Sequence, residues 1–145
     1  EHLREAIHIP NTAHAVFQLF ELTHHAQTFL LAETLKATII AHGFEIVLPA
    51  MLSQVDQARL FTEAASVIGV AGAGLTNMLF APTRATLIEL HNFEKGAEFF
   101  RRLCAQRDQR YARVWGELLP APDIPPNHYD FRIDPAFLRS WMSNF

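Results

Sequence analysis

Ser66-Val67-Ile68-Gly69-Val70-Ala71-Gly72-Ala73-Gly74-Leu75-Thr76-Asn77 is the stretch whose reading decides the fold. Its first five residues are an apolar run of the kind that forms a strand buried on both faces. Glycines follow at once, then a short helical stretch from Leu75 to Phe80, ended by Pro82. Glycine at such a turn lets the backbone adopt φ > 0 and lets a ligand approach with no Cβ in the way. The helix behind it offers N–H groups and a positive dipole end, both suited to a phosphate. Thr76 and Asn77 add side-chain donors at that helix start. From the glycines alone two readings stand: a diphosphate cradle, or a tight strand-to-helix turn chosen for close packing. The spacing is not G-x-G-x-x-G and no G-K-[ST] follows, so neither the dinucleotide fingerprint nor the P-loop is matched.

Working outward, the same alternation recurs. Phe44 to Leu48 is a short apolar run stopped by Pro49, a strand by its pattern. Ser53 with Asp56 three residues on resembles a capping box, with Asp in place of Glu or Gln. A helix from Gln54 to Ala65 follows. Downstream, Ala85 to Leu90 is a third strand, and Glu94 to Gln106 is an amphipathic helix with Phe99, Leu103 and Cys104 expected inward and Phe100 also read as core. Tyr111 to Leu118 reads as a fourth strand, residues 120–126 as a proline-rich loop, and Ala136 to Ser143 as a last helix started by Asp134-Pro135. No glycine or proline lies between Pro10 and Gly43. There Val16, Leu19, Phe20, Thr23 and Gln27 follow a helical spacing, and Leu31, Leu35 and Ile39 follow another, with Gly43 placed as a C-cap. Helix and strand alternate throughout, which predicts an α/β fold: a Rossmann-like parallel sheet flanked by helices. Right-handed crossovers put the strand carboxyl ends on one edge, where ligands bind. Glu89, near the end of the third strand, should share that edge with the glycine turn. It reads either as an acceptor for ribose hydroxyls or as a solvated strand-end carboxylate.

Composition bounds the class. The 145 residues suit one domain, half are hydrophobic, 19% are charged, and net charge is −3. Arg101, Arg102, Arg107 and Arg110 are interrupted by Asp108 and follow Glu98, the pattern of a solvated helix face rather than a nucleic-acid footprint. Cys104 is the single cysteine, so no internal disulfide forms. No apolar run reaches the ~20 residues of a membrane span. The eight histidines include the adjacent His24-His25 but no pair at zinc-ligand spacing. No Asp-x-Asp and no G-x-S-x-G is present. Trp115 and Trp141 read as core residues covering the sheet, with a partner domain as the other use. A chain beginning at Glu1 rather than Met reads as a fragment or a processed product.

One ordered set of residues adds to this. Gly43-Phe44-Glu45, Leu52-Ser53, Gln57, Leu60-Phe61, Ala64, Val67-Ile68-Gly69, Gly72 through Asn77, Leu79-Phe80, Pro82 and Ile88-Glu89-Leu90 resemble the C-terminal half of glycosyltransferase family 61. The family includes protein O-linked and plant cell-wall sugar transferases and bacterial capsular polysaccharide biosynthesis proteins. More weakly the resemblance extends through Tyr111, Val114 and Gly116 to the final helix. It implies a domain over residues 32–145 like the C-terminal domain of a GT-B enzyme, with residues 1–31 a helical segment outside the match. It implies inverting transfer from a nucleotide sugar, typically a UDP-sugar as donor substrate, to a glycan or protein acceptor, with no metal or other cofactor. Gly72, Ala73, Gly74, Leu75, Thr76 and Asn77 would face the donor diphosphate and Glu89 the ribose or sugar. Gln57 would pack or cap a helix. The catalytic residues are not assigned. A complete GT-B enzyme needs roughly twice this length, so a first domain or a partner subunit is expected to supply the acceptor site and catalytic base. The compartment follows the source: cytoplasm in a bacterium, Golgi or endoplasmic reticulum lumen in a eukaryote.

The family usually carries histidine just before Gly-Ala-Gly, where this chain has Ala71; Ala32-Glu33 stands for the usual Asn-Glu pair; and residues 18–31 lack the expected arginines. These departures motivate an alternative, a non-catalytic, degenerate glycosyltransferase-like binding module. A nicotinamide-dependent oxidoreductase is a fold-level analogy only, since the glycine spacing is wrong for it.

Overall fold

The computed structural model describes residues 15–18, 37, 40–47, 51–70, 72–91, 98–120, 122–123, 130–132, 136 and 140. Five strands form one parallel sheet in the order β2-β1-β3-β4-β5. They are β1 Ala15–Gln18, β2 Glu45–Val47, β3 Ser66–Val70, β4 Thr86–His91 and β5 Arg110–Trp115. Helix α1, Gln54–Thr62, lies between β2 and β3 in sequence. A 3₁₀ helix, Ala73–Leu79, joins β3 to β4, and helix α2, Phe99–Gln106, lies between β4 and β5. Strands β6, Glu117–Leu119, and β7, Asp130–Arg132, pair as a separate antiparallel ribbon. The fold is the α/β, Rossmann-like architecture expected from the alternation.

Local chemistry sets the element ends. Ser53 caps α1: its Oγ accepts from the Asp56 amide at 3.1 Å, and its hydroxyl donates to Asp56 Oδ2 at 2.9 Å. The shorter Asp side chain thus closes the box on the serine hydroxyl. Gly43 has φ 83° and its amide donates to the Ile40 carbonyl at 2.9 Å, ending a helical stretch that includes Ala37, Ile40 and Ala41.

One face of the sheet carries Val47, Val67 and Leu87. Against it pack Leu60, Phe61 and Ala64 near α1, Leu75 and Met78 of the 3₁₀ helix, and Phe100 and Cys104 of α2. Alternation sends Ile68, Ile88, Leu90 and Val114 to the other face, and these are buried too. A parallel sheet buried on both faces explains why its strands read as unbroken apolar runs.

Four expectations are corrected. The helix expected from Val16 is strand β1 over Ala15–Gln18, paired with β2 on one side and β3 on the other. Short apolar runs are ambiguous in period, and two ladders of backbone hydrogen bonds override the helical spacing. The sheet therefore draws on residues before 32. On α2, Phe99 is 59% exposed while Phe100 and Cys104, four apart, form the buried stripe with partly buried Leu103. Trp115, at the end of an outer strand, is 47% exposed rather than core. The fourth strand divides at Gly116 into β5 and β6. The expected Asp134-Pro135 helix start, the histidine pair His24-His25, Trp141 and Ala71 lie outside the described residues, as do most of the helices expected over 31–41 and 136–143.

Candidate functional site at the carboxyl edge of the sheet

From β1 the chain steps outward to β2, then crosses back to lay β3, β4 and β5 on the opposite side of β1. The reversal lies between β1 and β3. In open α/β sheets the ligand crevice forms outside the strand carboxyl ends at such a switch point. Gly72–Asn77 follows β3 directly, so the chain delivers the glycine turn to that position.

The turn's geometry differs from its expected form. Gly72 is extended, with φ 169° and ψ 174°, a conformation open to any residue, so φ > 0 is not what calls for glycine there. The Leu75 amide donates to the Gly72 carbonyl at 3.1 Å. The amides of Ala73 and Gly74 precede it, at the end of the helix where intrahelical acceptors run out. Leu75 is fully buried and anchors the turn in the core. Thr76 is half-buried.

Asn77 is engaged within the protein. Its Nδ2 donates to Gln57 Oε1 at 2.8 Å and to the Gly74 carbonyl at 3.1 Å. Gln57 Nε2 in turn donates to the Leu52 carbonyl at 3.2 Å. A relay of two amides therefore ties the glycine turn to the start of α1. The far end of the 3₁₀ helix is held by Gln109, which sequence reasoning missed. Its Nε2 donates to the Met78 and Ala81 carbonyls at 2.9 and 3.0 Å.

Glu89 lies two residues before the end of β4, in register with Gly69 of β3 and Arg113 of β5. It thus belongs to the same edge as the turn, one strand further along. It is 1% exposed, which removes the reading of a solvated carboxylate. The Tyr111 hydroxyl donates to Glu89 Oε2 at 2.5 Å and accepts from Arg113 Nε at 2.8 Å. Burial raises the Glu89 pKa above the ordinary carboxylate value; the Tyr111 hydrogen bond and the Arg113 charge oppose the rise, and Glu98 adds to it. Burial, then the hydrogen bond to Glu89, raises the Tyr111 pKa as well. The sequence signal for this chain of groups was Tyr111, Arg113 and Trp115 at every second position of β5, which aligns them on one face. Nothing in the sequence aligned that face with Glu89.

The family model described as Glycosyltransferase 61 matches residues 25–88. The match includes β2, α1, β3 and the whole glycine turn, and stops one residue before Glu89. It supports a place in that family and a glycosyltransferase function. No curated protein matches the chain. Among solved structures the chain is similar to the crystal structure of a flavodoxin-like domain from a Synechococcus sp. protein, with a TM-score of 0.53 and 11% identity over 90% of this chain and 99% of that one. At that identity the likeness concerns the fold alone. Its strand order, 2-1-3-4-5, is the flavodoxin-like arrangement.

Proposed function

We propose, taking the glycosyltransferase 61 match as the premise, that this chain is the donor-binding part of an inverting glycosyltransferase acting in capsule or other polysaccharide or glycan biosynthesis. One observation carries the reading: the matched segment contains the glycine turn, and the strand order sets that turn at the switch point. In this reading residues Gly72 to Asn77 meet the diphosphate of a UDP-sugar through the leading amides of the 3₁₀ helix. Leu75 contributes by anchoring the turn, and Asn77 by bracing it. Glu89 accepts from ribose or sugar hydroxyls. Its burial requires the incoming hydroxyl to reach the carboxylate beneath the surface, alongside Tyr111. The acceptor, a glycan or a protein, and the catalytic base belong to a further domain or a partner subunit.

Calorimetric titration with UDP and UDP-sugars tests this. Binding is expected, and Gly74→Val and Glu89→Ala should each weaken it. No heat with any nucleotide sugar at millimolar concentration would remove the reading. Ala71, where the family carries histidine, favours a second reading in which the same turn binds but no sugar is transferred. Transfer or hydrolysis of a UDP-sugar by this chain would eliminate that second reading.

A further inference from the structure

Arg113 has more hydrogen-bonding capacity than its partners among the described residues use. It stands two residues after Tyr111 and two before Trp115 on β5, so the three side chains leave the strand on one face. The guanidinium carbon lies 5.5 Å from the Tyr111 ring centre and 5.1 Å from that of Trp115. Both distances are within cation–π range, and two aromatic contacts limit the rotamers open to the side chain. The side chain is 14% exposed.

A guanidinium carries five N–H donors in a planar fork. Nε is spent on Tyr111. Nη1 lies 3.8 Å from Glu98 Oε1, close enough for an ion pair but too far for a hydrogen bond. Nη2 is buried and has no hydrogen-bond partner among the described residues. Leaving buried donors unpaired is costly, and the fork of Nη1 and Nη2 is the shape that binds two oxygens of one anion. Glu98 is a weakly held occupant of this place. It is 44% exposed and is also the ion-pair partner of Arg101, so it can leave Arg113 without losing its charge partner. Arg113 lies in register with Glu89 and two residues before the end of β5, at the edge where ligands enter an open parallel sheet.

We infer that Arg113 is an oxyanion-binding residue: Nη1 and Nη2 take two oxygens of a phosphate or a carboxylate, which displaces Glu98 toward Arg101. The site does not depend on the transferase reading, because a bare inorganic anion is enough to fill it.

The test titrates the whole chain with inorganic phosphate, pyrophosphate and acetate at constant ionic strength, by calorimetry and by intrinsic fluorescence, in which Trp115 reports from beside the guanidinium. A saturable response is expected. Glu98→Gln should tighten binding roughly two- to fivefold, the range for one exposed ion pair. Arg113→Lys, which keeps the charge and loses the fork, should weaken it by about tenfold or more, as for one charge-assisted hydrogen bond. The tighter of phosphate and acetate tells whether the oxyanion is a phosphate or a carboxylate. No saturable response, unchanged affinity in Arg113→Lys, or unchanged or weaker affinity in Glu98→Gln each overturns the inference. If Arg113→Lys does not fold, Glu98→Gln alone decides, since that carboxylate is partly exposed and its removal leaves the packing around Arg113 in place. Failure of UDP binding with anion binding intact would remove the transferase reading and leave this one standing.

Discussion

Glu89 is a carboxylate taken almost wholly out of water and compensated by a tyrosine hydroxyl and a nearby guanidinium. Its folded pKa is raised, so the folded chain binds a proton there more tightly than the unfolded chain does. Its contribution to stability is complete below the unfolded pKa and is lost as pH rises through the higher folded value. Glu89→Gln removes that loss. Urea unfolding of the two proteins across roughly pH 4 to 8 should show the variant gaining on wild type as pH rises, then levelling off. Tyr111→Phe deletes an interaction that lowers the Glu89 pKa, so in that variant the loss should extend to higher pH. A gap between wild type and Glu89→Gln that stays constant with pH would mean that the carboxylate titrates normally. Cys104 belongs to the same neighbourhood. It is fully buried, and burial with the Glu89 charge pushes its thiol up to about 11. The thiolate is the reactive form, so alkylation at neutral pH should proceed only as fast as the protein opens, and labelling rates should follow urea concentration.

At the scale of the element, the 3₁₀ helix is the part that needs outside support. Its hydrogen bonds are poorer than those of an α-helix, yet in the proposed function its first amides have to be held in one place. The Gln57–Asn77 bridge holds its start and Gln109 holds its end. Asn77→Ala should cost about 1 kcal/mol, and Gln109→Leu, which strips the Met78 and Ala81 carbonyls of their donor, about 1–3 kcal/mol. Both are read from denaturant midpoints. Exchanging the pair as Gln57→Asn with Asn77→Gln keeps the bridge's total length and should recover part of the loss. Gly43 tests conformation without contact. An added Cβ would meet nothing within 4 Å, but φ is 83°, so Gly43→Ala should cost about 1 kcal/mol from backbone strain alone. No loss of stability there would mean that the helix end relaxes into another turn.

For the whole molecule, the parallel sheet is the common support of both proposed sites. Leu87 lies in the middle of it, fully buried between sheet and helices. Leu87→Ala should cost about 2–5 kcal/mol and lower thermal and chemical stability together in one cooperative transition. The strands β2, β3 and β4 were readable as strands because parallel sheets buried on both faces select continuous apolar runs, which need no knowledge of a partner. The turn after β3 was readable for a similar reason, since strand, glycines and helix are consecutive. Strand β1 was not. Ala15 to Gln18 fits a helical spacing as well as an extended one, and only pairing with β2 and β3 makes it a strand. That single assignment carries the strand reversal with it. The Glu89, Tyr111 and Arg113 chain was hidden likewise, because the alignment of β4 on β5 joins residues 22 apart in sequence.

By itself, then, the order of amino acids determined that the chain alternates strands and helices, that glycines follow its most apolar strand, and that Ser53 and Gly43 mark helix ends. These are consequences of burial period and turn chemistry, which act over a few neighbouring residues. Only the tertiary structure decided that β1 sits between β2 and β3, that Phe99 stays out of the core, that Glu89 is buried against Tyr111, and that Arg113 Nη2 is buried with no hydrogen-bond partner among the described residues. Those outcomes depend on which distant segments pair and what they cover, and no local pattern contains that information.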